Sequence, residues 1–297
     1  MHKKIFLFEI FLSLLFNYVI SKSSVIIHYP NSIFISHSNW REMKAIYDPK
    51  LTKSDEYLKV GRSQDREDVW IYENWFYGMT NGTILESGAL NGETFSNSLM
   101  FERFSSWFTI HIEADPKNFH GLKQSRTNSL NIHAALCSEP KVLHFTQDQN
   151  NAINGFIEFM NPMFVQMWHP KLAQNPELIQ NLPTILCLPV KNLLKEIHVK
   201  HIDVWMLDVE GAELDVLKGV DWNQVSISTI VMECDSRGND KDKLKTDLLV
   251  ANDYTCKVIE RNCFCHHKTF QPSVSPPEKM QWKSLRLKEG GNPELLG

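Results

Sequence analysis

Hydrophobic positions change their period repeatedly along this chain, and the changes predict alternating strands and helices. Short apolar runs rich in β-branched residues predict strands at residues 83–85, 107–112, 130–136, 202–207 and 228–232. Apolar positions at helical spacing predict helices at residues 64–78, 94–104, 117–125, 190–197, 212–219 and 241–251. Residues 254–259 and 263–270 flank Glu260-Arg261-Asn262 and predict a hairpin. The alternation predicts an α/β fold, a mostly parallel sheet with helices on both faces and a C-terminal antiparallel hairpin.

Three segments lack a clean period and divide the chain. Residues 22–60 form an irregular lead-in to a domain at residues 61–270, and residues 271–297 form a tail. Within the domain, residues 147–182 are rich in Asn, Pro, Met and aromatic residues and predict an insertion. Its apolar residues are typical of a core rather than of a substrate wall. If the insertion covers a crevice instead, His169 becomes a candidate proton acceptor.

The N-terminus carries a targeting pattern. Lys3 and Lys4 precede an apolar run at residues 5–20, which Glu9 interrupts. The run is short for a membrane span and suits the core of a signal peptide. We therefore expect residues 1–21 to be a cleaved signal, with an uncleaved signal anchor and a buried helix as alternatives. The expected location is the secretory pathway, secreted or luminal, or a single-pass membrane position if the anchor stays.

Composition narrows the classes of function. The 297 residues are 42% hydrophobic and 22% charged, which suits one packed domain with appendages, and the net charge of −4 disfavours nucleic acid as a partner. Six cysteines allow one to three disulfides in an oxidising compartment, with the pairing left open. Cys256 and the run Cys263-Phe264-Cys265-His266-His267 contain metal-ligand residue types. Their spacing favours disulfides or surface thiols, and we predict no metal.

Acidic residues follow three of the predicted strands. At residues 86–92, Gly88 and Gly92 permit a tight turn after Glu86, but Leu90 stands where a dinucleotide-binding GxGxxG motif needs glycine. A nicotinamide or flavin site is therefore disfavoured. The alternative is that these residues form an ordinary strand–helix turn that binds no ligand.

The second and third strand ends offer further carboxylates. Glu113, in Glu113-Ala114-Asp115-Pro116, is placed to bind both ribose hydroxyls of a nucleotide, and Asp115 is placed to cap a helix. Asp208 is the first residue of Asp208-Val209-Glu210-Gly211-Ala212-Glu213 and follows a predicted strand. It is placed where open α/β sheets bind ligands. The structural alternative is an acid that stabilises the N-terminus of the next helix.

Taken in order, these motifs resemble FkbM-type methyltransferase domains, in particular the animal members. The resemblance covers about residues 60–270. It rests on Ser63-Gln64-Asp65 with Glu67-Asp68, on the loop at residues 85–92, on Ser96-Asn97-Ser98-Leu99, on Ile112 to Pro116, on residues 207–217 and on Ile230-Val231-Met232-Glu233. Its most specific element is residues 208–213. Two departures concern the catalytic base: Met206 stands where many members have lysine, and Cys265-His266-His267 where many have an acid.

The resemblance implies a Rossmann-like class I fold with a seven-stranded sheet and S-adenosylmethionine as cofactor. It implies that Gly88, Ala89 and Gly92 border the cofactor and that Glu113 holds the ribose. Glu86 and Gln64 would lie near its methionine end, and Asp208 near the sulfonium or the acceptor. Our hypothesis is methylation of a hydroxyl on a sugar, lipid or small molecule, with Asp208 and His169 as candidate catalytic residues. The alternative is a non-catalytic binding or trafficking protein of the secretory pathway, and a membrane is a partner only if the N-terminal segment is uncleaved.

Overall fold

The structure is a computed structural model that describes residues 25–28, 40–234, 240–274 and 276. The predicted signal at residues 1–21, most of the lead-in before residue 40 and most of the predicted tail lie outside these residues. None of the helices in the described ranges has the length and apolar character needed to cross a membrane.

Thirteen strands form in the described ranges. In chain order they are β1 (Ile26–His28), β2 (Ile46–Tyr47), β3 (Met79–Thr80), β4 (Thr83–Ser87), β5 (Phe108–Glu113), β6 (Leu130–His133), β7 (Ala135–Cys137), β8 (Lys141–His144), β9 (Thr184–Pro189), β10 (His201–Leu207), β11 (Ser226–Glu233), β12 (Tyr254–Ile259) and β13 (Asn262–His267).

The α-helices of the described ranges are α1 (Glu56–Val60), α2 (Glu67–Ile71), α3 (Leu99–Ser105), α4 (Pro116–Ser125), α5 (Pro162–Trp168), α6 (Pro170–Gln174), α7 (Val190–Glu196), α8 (Glu213–Lys218) and α9 (Lys241–Val250). A π-helical turn, Tyr72–Phe76, continues α2. Short 3₁₀ turns lie at Leu51–Lys53, Asn151–Ile153 and Pro176–Asn181.

One eight-stranded sheet organises the domain in the order β1-β6-β5-β4-β10-β11-β13-β12. The pairs from β6 through β11 are parallel, and β11 meets β13 in antiparallel orientation, as β13 meets β12. The predicted Rossmann-like α/β fold with its C-terminal hairpin is confirmed by this topology. The seven expected strands are all present, and β1 adds an eighth by pairing antiparallel with the edge strand β6.

Helices cover both faces of this sheet, and alternate residues of a strand enter different cores. In β10, Trp205 and Leu207 pack in the larger core with α7, α8 and α9. Val204 and Met206 of the same strand pack in a second core that contains the aromatic residues of α2, its π-helical turn and α3. The strand is buried along its whole length, as a central parallel strand with helices on both faces must be. Met206 therefore belongs to a core.

The element bounds depart from the prediction where long-range contacts decide them. The first predicted helix begins at Glu67 because Arg66 has a positive φ of 64°. The helix predicted from residue 94 begins at Leu99, because residues 94–98 are drawn into a loop. The predicted strand at residues 130–136 divides into β6 and β7, and β7 joins β9 and β8 in a separate three-stranded sheet that the sequence did not indicate.

All six cysteines are paired. Cys137–Cys187 joins β7 to β9, Cys234–Cys263 joins the residue after β11 to β13, and Cys256–Cys265 links the two strands of the hairpin. The cysteines at residues 256, 263 and 265 therefore form disulfides, one of the two alternatives favoured over a metal site. Disulfides of this kind typically add about 2–4 kcal/mol each to the free energy of unfolding.

Candidate functional site

Most of the acidic residues at the ends of the strands line a single cleft. It lies at the carboxyl ends of β5, β4 and β10, where the order of the sheet reverses direction, which is the usual ligand position in open parallel sheets. The cleft encloses about 1050 Å³, including solvent at its mouth. Of the predicted site residues, it brings together Gln64, Gly88, Glu113 and Asp208.

Gly88 fixes how closely the first loop approaches the next strand. Its φ is +83°, and a Cβ atom at this position would lie 1.8 Å from the carbonyl oxygen of Asp208. Its N–H donates to the carbonyl oxygen of Ile112 at 3.0 Å. Only a residue without a side chain can connect the ends of β4, β5 and β10 in this way.

Glu86 lies behind the cleft and holds the loop that follows β4. Its buried carboxylate accepts hydrogen bonds from the N–H of Asn97 at 2.7 Å and from the hydroxyl groups of Ser98 at 2.5 Å and Ser96 at 3.1 Å. Burial raises its pKa, although Arg126 and these hydrogen bonds oppose that rise. We expected Glu86 beside the methionine end of a cofactor, and its oxygens are instead directed at this loop.

Arg126 completes the support of the loop. Its buried guanidinium donates to the carbonyl oxygen of Gly92 at 2.9 Å and to the hydroxyl groups of Ser96 and Ser98, both at 3.0 Å. It also forms an ion pair of 2.7 Å with Glu102. Contacts within the protein itself therefore position this loop, as a preorganised binding site requires.

Two other predicted cofactor residues support the loop from the rear. A Cβ atom on Gly92 would meet Arg126 at 2.5 Å and Leu122 at 2.7 Å, so this glycine serves packing against α4. Ala89 is buried with Phe119 and Leu122. Neither lines the cleft. The Gly-xxx-Gly spacing indicated the turn correctly, but it does not show which side of the turn faces a ligand.

Glu113 lies at the centre of the cleft wall, at the end of β5. One carboxylate oxygen accepts from the N–H of Leu90 at 2.8 Å and the other from the N–H of Asp115 at 2.7 Å. Each oxygen keeps a further lone pair for a ligand hydroxyl. Burial raises the pKa of Glu113 to about 8. Asp115 accepts from the N–H of Lys117 at 2.6 Å, which confirms it as the N-cap of α4.

The cleft is apolar on one side of Glu113. Apolar side chains that follow β5, β6 and β8, or that belong to β7 and the insertion, form this end: Ala114, Ala134, Ala135, Leu136, Phe145 and Phe156. Asn118 and Asn151 join above it through a hydrogen bond of 3.0 Å. Such a wall, with a few amide groups, suits a flat heteroaromatic ring.

Carboxylates dominate the opposite end. Asp208 is open to the cleft, yet the enclosing walls and the charge of Glu213 raise its pKa to about 6. Glu213 accepts hydrogen bonds from the N–H groups of Val209 and Gly211 and so fixes the turn after Asp208. Because α8 begins only at Glu213, Asp208 is not an acid in the first turn of that helix. Burial and the charges of Asp208 and Glu233 also raise the pKa of Glu210.

Residues that are distant in sequence complete this acidic end. Burial and the charge of Asp65 raise the pKa of Glu67 to about 7, and Glu67 accepts from the Asn262 side chain at 2.8 Å. Arg261, in the hairpin turn, pairs with Asp65 at 2.5 Å and with Glu233 at 3.5 Å. The charge balance at this end is therefore negative.

His169 does not enter the cleft. It is buried at the junction of α5 and α6, and its Nε2 lies 3.0 Å from the carbonyl oxygen of Ile153. It helps to fold the insertion, because that contact joins the helices to the 3₁₀ turn at the cleft wall. The expectation of a core role for the insertion holds for Phe156 and Met160, whereas Met163, Met167 and Trp168 are exposed.

Several cleft residues were missed from sequence. Asn97 follows the glycine loop, and its Oδ1 is buried without a hydrogen-bond partner among the described residues. Glu233 ends β11, so the strand-end rule that indicated Glu113 and Asp208 could have found it. Arg261 and Asn262 were recognised only as a hairpin turn, and no local signal places that turn at the cleft.

The raised pKa values predict a loss of stability with rising pH. Glu67 and Glu113 hold protons in the folded protein at pH values where the unfolded chain has lost them, so stability falls as the pH rises through about 7 and 8. Between pH 7 and pH 8.5 we expect the free energy of unfolding to drop by about 1–2 kcal/mol. Urea denaturation at both values measures it. Glu113→Gln should flatten the dependence, and an equally steep curve for that variant would contradict the assignment.

Comparison with known proteins gives one family match. A family model for the Methyltransferase FkbM domain matches residues 86–255, which is more than half of the chain. No curated protein sequence matches the chain.

Solved methyltransferase structures are similar at low identity. Methyltransferase FkbM from Methylobacillus flagellatus KT is 14% identical, with a TM-score of 0.41, over 71% of this chain and 49% of that one. The present chain thus spans about half the length of that protein. Aeropyrum pernix fibrillarin with natively bound S-adenosyl-L-methionine is 11% identical, with a TM-score of 0.36, over 63% and 66% of the two chains. Likenesses of this size carry no functional argument.

Proposed function

We propose that this chain, which belongs to the FkbM methyltransferase family, binds S-adenosylmethionine in the cleft and methylates a hydroxyl group of a sugar, lipid or other small molecule. The observation that carries the proposal is the polarity of the cleft. Glu113 separates an apolar end from an end lined by Glu67, Asp208 and Glu210.

The residues present fit the cofactor. The apolar end suits an adenine ring, and the two oxygens of Glu113 suit the two ribose hydroxyls. The carboxylates of the other end attract a positive charge. S-adenosylmethionine, when bound, supplies a methyl group activated by a sulfonium centre. The protein's own contribution is to orient the acceptor and to exclude water, since methyl transfer depends above all on alignment.

Asp208 is the residue best placed to take the acceptor proton. It is exposed to the cleft at the end of β10, and its pKa of about 6 leaves it ionised at neutral pH yet more basic than an ordinary aspartate. Glu213 holds the turn that follows, so the position of Asp208 is fixed.

The test is transfer of a labelled methyl group from S-adenosylmethionine into cell extracts, by the full chain and by Asp208→Asn. We expect the variant to transfer about a hundredfold more slowly. Its affinity for S-adenosylhomocysteine should change by less than about tenfold, because that ligand has no sulfonium charge. A wild-type protein that binds S-adenosylhomocysteine but labels nothing would favour the non-catalytic binding protein instead.

We also propose a secretory location. Support comes from the three disulfides, which are typical of oxidising compartments, and from the signal-like run at residues 5–20. N-terminal sequencing of protein recovered from culture medium tests this. A sequence beginning near Lys22 is expected, and recovery only from the cytosol with Met1 intact would contradict it.

A further inference from the structure

A modification motif lies at the end of β4 that is opposite the cleft. Asn81-Gly82-Thr83 has the Asn-x-Ser/Thr spacing at which N-linked glycans are attached, and no other segment of the sequence has it. Asn81 is exposed in the turn between β3 and β4, and Thr83 is the first residue of β4. The cleft lies at the carboxyl end of β4, about 13 Å away for a strand of five residues.

The folded structure accounts for the first two residues of the motif without any modification. The φ of Asn81 is 57°, and asparagine tolerates this left-handed conformation better than most residues do. A Cβ atom on Gly82 would lie 2.7 Å from the ring of Trp107, so the packing there needs a glycine. The turn therefore explains Asn81 and Gly82, and the third residue of the motif has to decide whether it is used.

The hydroxyl group of Thr83 has no role in the folded structure. The side chain is fully buried, and Oγ1 has no hydrogen-bond partner among the described residues. The other buried threonines of the described ranges, Thr109, Thr146 and Thr229, each form at least one hydrogen bond through this group. A buried hydroxyl group without a partner destabilises the fold, and valine would give the strand the same shape without that cost. The hydroxyl group of Thr83 therefore serves a step other than folding.

We propose that Asn81 carries an N-linked glycan that is attached in the secretory pathway before β4 joins the sheet. The inference rests on the proposed secretory location. The donor is an oligosaccharide linked to a lipid diphosphate. Nδ2 of Asn81 forms a bond to the anomeric carbon of the sugar, and the bond from that carbon to the diphosphate oxygen breaks. The lipid diphosphate leaves with the electron pair, and one amide proton is released.

The contacts of the motif fix the order of attachment and folding. The carbonyl oxygen of Gly82 accepts from the N–H of Phe108 at 2.8 Å, and the N–H of Thr83 donates to the carboxylate of Asp203 at 2.8 Å. A glycan-transferring enzyme needs the hydroxyl group of the motif, which these contacts and the burial of Thr83 make inaccessible. Attachment therefore precedes the pairing of β4 with β5. Because Asn81 stays exposed, the folded protein accommodates the glycan afterwards.

Translation of the full chain with endoplasmic-reticulum microsomes tests the proposal. Chains that enter the microsomes are protected from added protease, and we expect them to gain the mass of one glycan, which peptide N-glycosidase removes. Asn81→Asp and Thr83→Val should enter without the gain, whereas Thr83→Ser should keep it, because serine retains the hydroxyl group. Protected wild-type chains of unmodified mass, or a Thr83→Val variant that still gains the glycan, would overturn the inference. Wild-type chains that stay unprotected would contradict the secretory location, and the inference with it.

The claim that the hydroxyl group has no role in the fold has a separate readout. In protein made without glycosylation, the thermal unfolding midpoint of Thr83→Val should be unchanged or raised by up to about 5 °C, because an unpartnered buried hydroxyl group is removed. Thr83→Ser is the matched control. It keeps the hydroxyl group but loses a buried methyl group, so its midpoint should fall by about 2–4 °C. A lower midpoint for Thr83→Val would show that the hydroxyl group stabilises the fold, and would overturn the inference.

Discussion

Replacement of Glu113 by alanine is expected to weaken S-adenosylhomocysteine binding by at least about a hundredfold. At pH 8.5, above the Glu113 pKa of about 8, the carboxyl group is ionised, and its two hydrogen bonds from ribose hydroxyls contribute about 1.5–3 kcal/mol each. The same carboxylate accepts from the N–H of Leu90, so its loss also releases the loop after β4 from the end of β5. Calorimetric titration of the full chain measures the effect.

The control for this change is Glu113→Gln. Glutamine keeps the size of the side chain and one acceptor oxygen, so we expect a loss of only about tenfold. Thermal unfolding of both variants in the absence of ligand separates a lost contact from a lost fold. An alanine variant that is folded and binds with wild-type affinity would remove Glu113 from the site.

Gly88→Ala is expected to lower the free energy of unfolding by about 2–5 kcal/mol. The left-handed conformation costs a residue with a side chain about 1–2 kcal/mol, and displacement of packed backbone adds about 1–3 kcal/mol. The displacement is unavoidable, because the new Cβ atom would lie 1.8 Å from the Asp208 carbonyl oxygen. Since that contact joins the ends of β4 and β10, ligand binding should be lost as well.

Gly121→Ala is the comparison for this prediction. Gly121 lies within α4, and a Cβ atom there would come no closer than 3.2 Å to the side chain of Asn91. We expect its stability to stay within about 1 kcal/mol of the wild type, since alanine favours a helix. Urea denaturation of the two variants measures the difference. Similar stabilities would show that the loop does not need glycine at position 88.

The strand ends could be read from sequence because their signal is local. A buried apolar run followed by an acidic residue predicts both a strand and the end of that strand where a ligand binds. Glu113 and Asp208 were predicted in this way, and both line the cleft. The order of the motifs along the chain also indicated the family, and this prediction is confirmed. The parallel sheet and terminal hairpin followed from the alternation of periods.

The remaining features depend on contacts between distant segments. Glu86 and Gly92 belong to the predicted loop, but contacts outside it direct them away from the cleft. Glu86 accepts hydrogen bonds from Ser96, Asn97 and Ser98, and Gly92 packs against Arg126 and α4. Asn262 reaches Glu67 across 195 positions of sequence. His169 is held by the fold of the insertion, whose lack of a clean period left its course open. The residues of the acidic end could therefore not be assembled from sequence alone.

The central claim is that the cleft between β5, β4 and β10 binds S-adenosylmethionine, and a crystal structure of the full chain with S-adenosylhomocysteine tests it most directly. The account predicts the adenine ring at the apolar end and both ribose hydroxyls within hydrogen-bond distance of the Glu113 carboxylate. A folded protein whose cleft holds no nucleoside at saturating ligand, or a ligand bound away from Glu113, would contradict it.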